Sequence, residues 1–228
     1  MDELYNSING AKHIEIRVDD IRYLSGADAL YSYILTLHKK VSLYLPKELI
    51  DKKYSFLPWF SKIKTTDTPS SDYIVDFKLD ALALYSFFEI YKIKLNKKMA
   101  TSLYAMLLVE TDGFKKDLDG TKFAVSSKLL EHNAESEVAT FYLLEYSSLA
   151  QVRLKGEMLL KMQLQNNASV AEFFIDDAML KSSGANIEMA QENIKEALSL
   201  VYVKKVILYY NNKIVKIIEK ERYFGEKK

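Results

Sequence analysis

Apolar and polar residues alternate over residues 13–18 (HIEIRV), the two-residue period of a strand, and Asp19-Asp20 end the run. Leu30, Ile34 and Leu37 then recur on one face of a helix. The helix follows Ser25-Gly26-Ala27-Asp28, which reads as a capping box: Ser25 satisfies an orphan backbone N–H and Asp28 reaches back. Residues 40–45 (KVSLYL) form a second strand, and a strand–helix–strand unit requires a parallel pair with a right-handed crossover. Residues 53–64 (KYSFLPWFSKIK) lead through a loop at 65–71 to residues 72–77 (DYIVDF), a short strand closed by charge. At least three parallel strands are therefore expected.

Helical patterns follow over residues 80–91, 99–108 and 121–132, with Asn133 as the stop of the last. A longer helical block spans 137–164 and ends at Gln165-Asn166-Asn167, near which a domain boundary is expected. The pattern then changes to a strand at 170–176, a short helix near 178–182, a turn at Ser183-Gly184-Ala185 and a helix at 187–200. Strands at 205–210 and 213–219 close the pattern across Asn211-Asn212, a pair that tolerates positive φ and suits a tight hairpin. The fold class read from this order is α/β: a Rossmann-like parallel sheet with flanking helices, then a smaller α/β domain.

Composition narrows the function classes. The chain has 228 residues, 49% hydrophobic, and a formal net charge of +1, enough for one or two domains with cores of their own. The absence of cysteine removes disulfides, thiolate zinc sites and thiol catalysis, and suits a reducing compartment; a cytoplasmic location is expected. The N-terminus lacks a basic segment followed by an apolar core, and no apolar run approaches a span of about 20 residues, so no membrane is expected. Lys and Arg are interspersed with acids, which leaves only local contacts for a nucleotide. Neither G-x-S-x-G nor a glycine-rich phosphate loop occurs.

One stretch, residues 97–134, carries an amphipathic helix into Glu110-Thr111-Asp112-Gly113-Phe114 and then a second helix. It resembles the DHH phosphoesterases, RecJ-like proteins, in their nano-RNase and pAp-phosphatase branch, where a helix of the type IATALYTGLLTDTGGFR delivers a metal-binding aspartate. Residues 27–43 (ADALYSYILTLHKKVSL), 54–64 (YSFLPWFSKIK), 79–95 and 146–164 resemble further family segments in the same order, and Ser183-Gly184-Ala185-Asn186 is similar to a turn of its accessory domain. The resemblance covers most of the chain. It implies a DHH-like domain at 1–148, a linking helix at 149–168 and a truncated accessory domain at 169–228.

The departures fall on the chemistry. Active members carry H-x-N-P-D-G-D after the first strand; here Asp28 holds the last position, Gly26 replaces the first aspartate, and no histidine precedes it at the right spacing. The Asp-His-His motif and the C-terminal glycine-rich phosphate loop are missing, and His13, His38 and His132 stand at no matching position. The candidate metal ligands that the resemblance leaves are Asp28, Asp76 and Glu110, with Asp20 weaker. Three carboxylates suffice for one Mn²⁺ or Mg²⁺ with waters, whereas two-metal catalysis needs enough ligands for both ions. Each also has a structural reading: Asp28 as a capping acid, Asp76 as a strand end, Glu110 as a solvated acid at a helix end. Trp59, within FLPWF, reads as a packing anchor, and His38 as a helix C-terminal residue.

The preferred expectation is a catalytically inactive family member that binds or scaffolds. The alternatives are a weak Mn- or Mg-dependent phosphoesterase on short oligonucleotides or pAp, and a nucleotide sensor using the same cleft. The partners expected are a nucleotide or short oligonucleotide, a protein, or a second copy of the chain.

Overall fold

The computed structural model of the chain describes residues 1–68 and 70–220. Two compact units divide it, Met1–Tyr146 and Ser147–Lys228. In the first, helix α1 (Asp2–Gly10) precedes β1 (His13–Arg17), α2 (Leu24–Thr36), β2 (Lys40–Tyr44), β3 (Ile63–Lys64) and β4 (Tyr73–Asp76). The sheet order is β3-β2-β1-β4 and every pairing is parallel, with Glu15 beside Ser42 and Ile74 across the centre. The two-residue strand β3 lies inside a segment whose sequence shows no alternation long enough to mark it.

One sheet face is apolar. Ile14, Ile16 and Leu43 are fully buried, and Val41 and Val75 nearly so. Against this face pack α2, α3 (Ala81–Ile90) and α4 (Lys97–Glu110), which bring Leu30, Ile34, Phe87, Phe88, Leu103 and Met106 into one core. Asp80 caps α3 at Ala83 N–H, and Asn96 caps α4 at Met99 N–H. Helix α5 (Gly120–Glu131) is capped by Asp119, and Asn133 follows it with φ 60°, the left-handed stop that its residue type favours.

The capping box expected at Ser25 does not form. Asp20 instead accepts from Arg22 N–H and caps a short 3-10 turn, Ile21–Tyr23, which runs directly into α2 at Leu24. Ser25 therefore lies inside the first turn, its hydroxyl buried without a hydrogen-bond partner, and Asp28 faces other elements. Gly26 sits where α2 meets α4: an added Cβ would come within 2.5 Å of Met106 Sδ and 2.7 Å of the Phe77 ring.

The helical block expected over 137–164 is divided. Helix α6 (Ser136–Thr140) widens into a π-turn at Phe141–Glu145 and stops at Tyr146, whose ψ of 124° is extended. Ser148 then caps a new helix, α7 (Leu149–Leu160), by accepting from Gln151 N–H. Read from the sequence as a linker, α7 buries Leu154 and Met158 in the core of the second unit.

That unit holds a sheet ordered β5-β6-β7-β8, with β5 (Gln163–Gln165), β6 (Val170–Ile175), β7 (Lys205–Tyr210) and β8 (Lys213–Glu219). The central β6–β7 pair is parallel and the outer pairs antiparallel. Between β6 and β7 run α8 (Asp177–Ser183), which ends at Gly184 with φ 72°, and α9 (Ile187–Asn193), which tightens into a 3-10 turn at Ile194–Ser199. Asn211 and Asn212 both take positive φ, 48° and 63°, as the hairpin reading requires.

Two glycines test this packing in opposite directions. Gly26→Ala is expected to cost about 1–3 kcal/mol through overpacking at the α2–α4 contact. Gly156→Ala, in the interior of α7 with nothing within 4 Å of its added Cβ, is expected to gain about 0.5–1 kcal/mol. Urea midpoints of the two variants check both signs.

Candidate functional site

Parallel α/β sheets present ligands at the C-terminal ends of their strands. Here that edge gathers the residues after β1, the end of β4, the start of α3 and the end of α4, and it is rich in acids. The acids are nevertheless paired one by one. Asp20 is clamped by Arg22, with Nη2 to Oδ2 at 2.6 Å, which holds its carboxyl below the usual range against partial burial. Asp19 pairs with Lys78 at 2.9 Å. Asp76 is exposed at the end of β4, where its charge acts on both Arg17 and Lys78.

Glu110 ends α4 and reaches across to α3. Its Oε1 accepts from Ala81 N–H at 2.8 Å, so it ties the C-terminus of one helix to an orphan donor of the next. Burial raises its pKa; the Ala81 N–H and Lys122 oppose the shift, while Asp80 adds to it.

Asp28 lies apart from these, fully buried in the α2–α4 seam. Oδ1 accepts from Trp59 N–H at 3.0 Å, and Oδ2 lies 2.7 Å from Ser102 Oγ. Desolvation pushes its pKa up to about 7, against the Ser102 and Trp59 contacts and the charge of Lys98. Ser102 Oγ also lies 3.0 Å from the Lys98 carbonyl oxygen, and one hydroxyl proton cannot serve two acceptors. Ser102 donates to Asp28 Oδ2 when that carboxylate is ionised, and is released to donate to the Lys98 carbonyl when Asp28 carries the proton and donates in turn.

Two-metal catalysis needs ligands converging on ions a few ångströms apart. Among the described residues no group of three or more His, Asp or Glu is placed to hold a metal ion. Asp28 has both oxygens committed inside the protein, Glu110 is engaged on α3, Asp20 is neutralised by Arg22, and Asp76 stands at the strand end. This donor set does not fit a dinuclear manganese centre, and no step through such a centre is derived.

A second polar constellation escaped the sequence reading. On the sheet face opposite the core, His13 Nε2 lies 3.0 Å from Ser42 Oγ, and Lys64 Nζ donates to that same oxygen at 3.2 Å. His13 Nδ1 lies 3.1 Å from the carbonyl oxygen and hydroxyl of Ser70. Glu15, fully buried beside them, accepts from Arg17 Nε at 2.6 Å and from Thr68 N–H at 2.5 Å. Burial alone would raise its pKa, but these donors hold it below the usual carboxylate range. The signal was present in the strand itself: the positions alternating with Ile14 and Ile16 are His13, Glu15 and Arg17.

No protein-family model and no curated protein matches the sequence. Among solved structures, the chain is similar to an exopolyphosphatase-related protein from Bacteroides fragilis, with a TM-score of 0.80 at 14% identity over 92% of this chain and 78% of that one. The likeness is one of fold: a mixed α/β architecture with a four-stranded parallel sheet and a second, smaller sheet. No described helix is long and apolar enough to cross a membrane.

The buried acid has a signed consequence for stability. Folded Asp28 titrates near pH 7 and an unfolded aspartate near its ordinary value of 3.8. Between these values the folded chain keeps a proton that the unfolded chain has released, so stability falls as pH rises through the window. The loss is absent below about pH 4 and complete above about pH 7, at most roughly 4 kcal/mol. Asp28→Asn preserves the contacts without the charge, and is expected to flatten this slope and to exceed the parent in stability at about pH 8. Urea midpoints of both proteins across the window measure the difference, and two parallel curves would sink the assignment.

Proposed function

We propose that this chain is a phosphoesterase-fold protein that binds a ligand or partner without hydrolysing phosphoesters. The observation that carries the reading is the independent pairing of Asp20, Asp28 and Glu110, with no group of three or more acids or histidines among the described residues placed to hold a metal ion. Hydrolysis of a phosphoester by the two-metal route needs one ion to generate hydroxide and another to stabilise the leaving oxygen. With Asp76 as the one candidate acid not engaged by a hydrogen bond or a short ion pair, neither role has its ligands.

The similarity to an exopolyphosphatase-related protein supports the architecture in which such a site is built; the activity depends on the site itself. The occupants in view are a nucleotide or short oligonucleotide at the strand edge, or a protein, including a second copy of the chain.

The test is an assay of the purified protein with Mn²⁺, and separately Mg²⁺, against pAp and a short oligoribonucleotide, beside Asp76→Asn. Phosphate or mononucleotide release no higher than the metal-only blank is expected for both proteins. Turnover that Asp76→Asn abolishes would overturn the proposal in favour of a weak metal-dependent phosphoesterase.

A further inference from the structure

The first unit has an open surface depression, about 420 Å³ in volume, away from the edge that bears the acids. Helix α2 runs from the C-terminal end of β1 towards the start of β2, so its last turn lies at the opposite edge of the sheet. The loop from α3 opens α4 at that same edge. The depression lies between these helix ends, lined by Leu35 and Thr36 of α2, by Asn96 and Lys98 at the start of α4, and by Trp59. Its volume falls in the range of small-molecule pockets.

Trp59 is held in place before any ligand arrives. Its backbone N–H donates to Asp28 and its indole Nε1–H donates to Ser32 Oγ at 2.7 Å, while Tyr31 packs against the ring at a centroid distance of 5.3 Å. An aromatic wall fixed in this way loses little freedom on binding.

The two lysines differ in how their charge is met. Lys97 pairs with Glu135 at 2.7 Å. Lys98 is exposed and has no ion-pair partner among the described residues; its ammonium lies 4.1 Å from the centroid of the Trp59 ring. The carboxyl of Asp28, farther along the seam, is buried behind Ser102 and forms no ion pair with Lys98. A cation resting on a partly buried indole at the protein surface is weakly held, and a flexible lysine readily exchanges that contact for an anion.

We propose that this depression binds a small planar aromatic anion, its ring laid on the Trp59 indole beside Leu35 and its carboxylate or phosphate paired with Lys98. A nucleoside monophosphate and an aromatic carboxylic acid share this chemistry. The inference does not depend on the absence of hydrolysis, because the depression and the acidic edge lie at opposite ends of the sheet.

Trp59 is the single tryptophan of the chain, so intrinsic fluorescence excited on the red edge of indole absorption reports this depression alone. The probes are AMP and benzoate, with adenosine and inorganic phosphate as the ring-only and anion-only arms. Saturable quenching by AMP or by benzoate is expected, and whichever saturates at lower concentration identifies the source. Adenosine and phosphate are expected to bind at least roughly tenfold more weakly than AMP, and Lys98→Gln to raise the Kd of the bound anion by about tenfold. Lys98→Arg is expected to restore it, and Lys181→Gln, at an exposed lysine of the second unit, to leave it unchanged. Absence of saturation by both aromatic anions, equal binding of phosphate and AMP, or an unaltered Kd in Lys98→Gln with an unchanged melting temperature each overturns the proposal.

Discussion

The contact on which the first unit depends is the antiparallel seam of α2 and α4 over the apolar face of the parallel sheet. It is tight enough to leave no room for a Cβ at Gly26, with Met106 and the Phe77 ring closing the space. One turn along, the same approach seals Asp28 against Ser102; beyond that, where the helices end, the seam opens beside Trp59. A glycine, a buried acid and an open depression thus follow from one packing geometry. Interiors packed to crystal-like density allow little independent adjustment, so a change at Gly26 is felt at the carboxyl and at the indole.

The regular elements were legible because their signals are local. Alternation marked β1 and β2, Asn211-Asn212 marked the hairpin, and Asn133 marked the end of α5. What failed were features decided by competition between adjacent residues. Ser25 and Asp28 have the composition of a cap, yet Asp20 lies five residues earlier and wins the first orphan donor at Arg22, which moves the helix start to before Ser25. The apparent single helix over 137–164 is interrupted because Ser148 offers a cap that a continuous helix would waste. Periodicity reads faces, and it does not say which of two competing caps is used.

The candidate site was legible only as residue types. Asp28, Asp76, Glu110 and Asp20 were found by a resemblance of pattern, and a resemblance says nothing of which side chains will share a hydrogen-bond donor. Glu110 was read as solvated or metal-bound, and the fold uses it to hold the first turn of α3. Trp59 was read as an anchor, which it is, and the two hydrogen bonds that anchor it also present its ring to the depression. Lys98 carried no motif; its interest arises because its charge has an aromatic ring for a neighbour in place of a carboxylate.

The distribution of charge on the acidic edge sets what binding an ion there would cost. Carboxylates gathered within a few ångströms repel one another, and a folded chain that holds several of them unpaired loses stability until a cation compensates. Here Asp19 and Asp20 each have a basic partner, Glu110 has a backbone donor, and Asp28 has its pKa raised by burial. Each acid is satisfied by a different element. Recruiting them to a shared ion would mean breaking the Arg22 clamp, freeing the α3 donor and ionising Asp28 while withdrawing it from Trp59 and Ser102. Those costs add because the partners are separate, so metal binding at this edge would oppose the same contacts that hold the seam and the helix starts together.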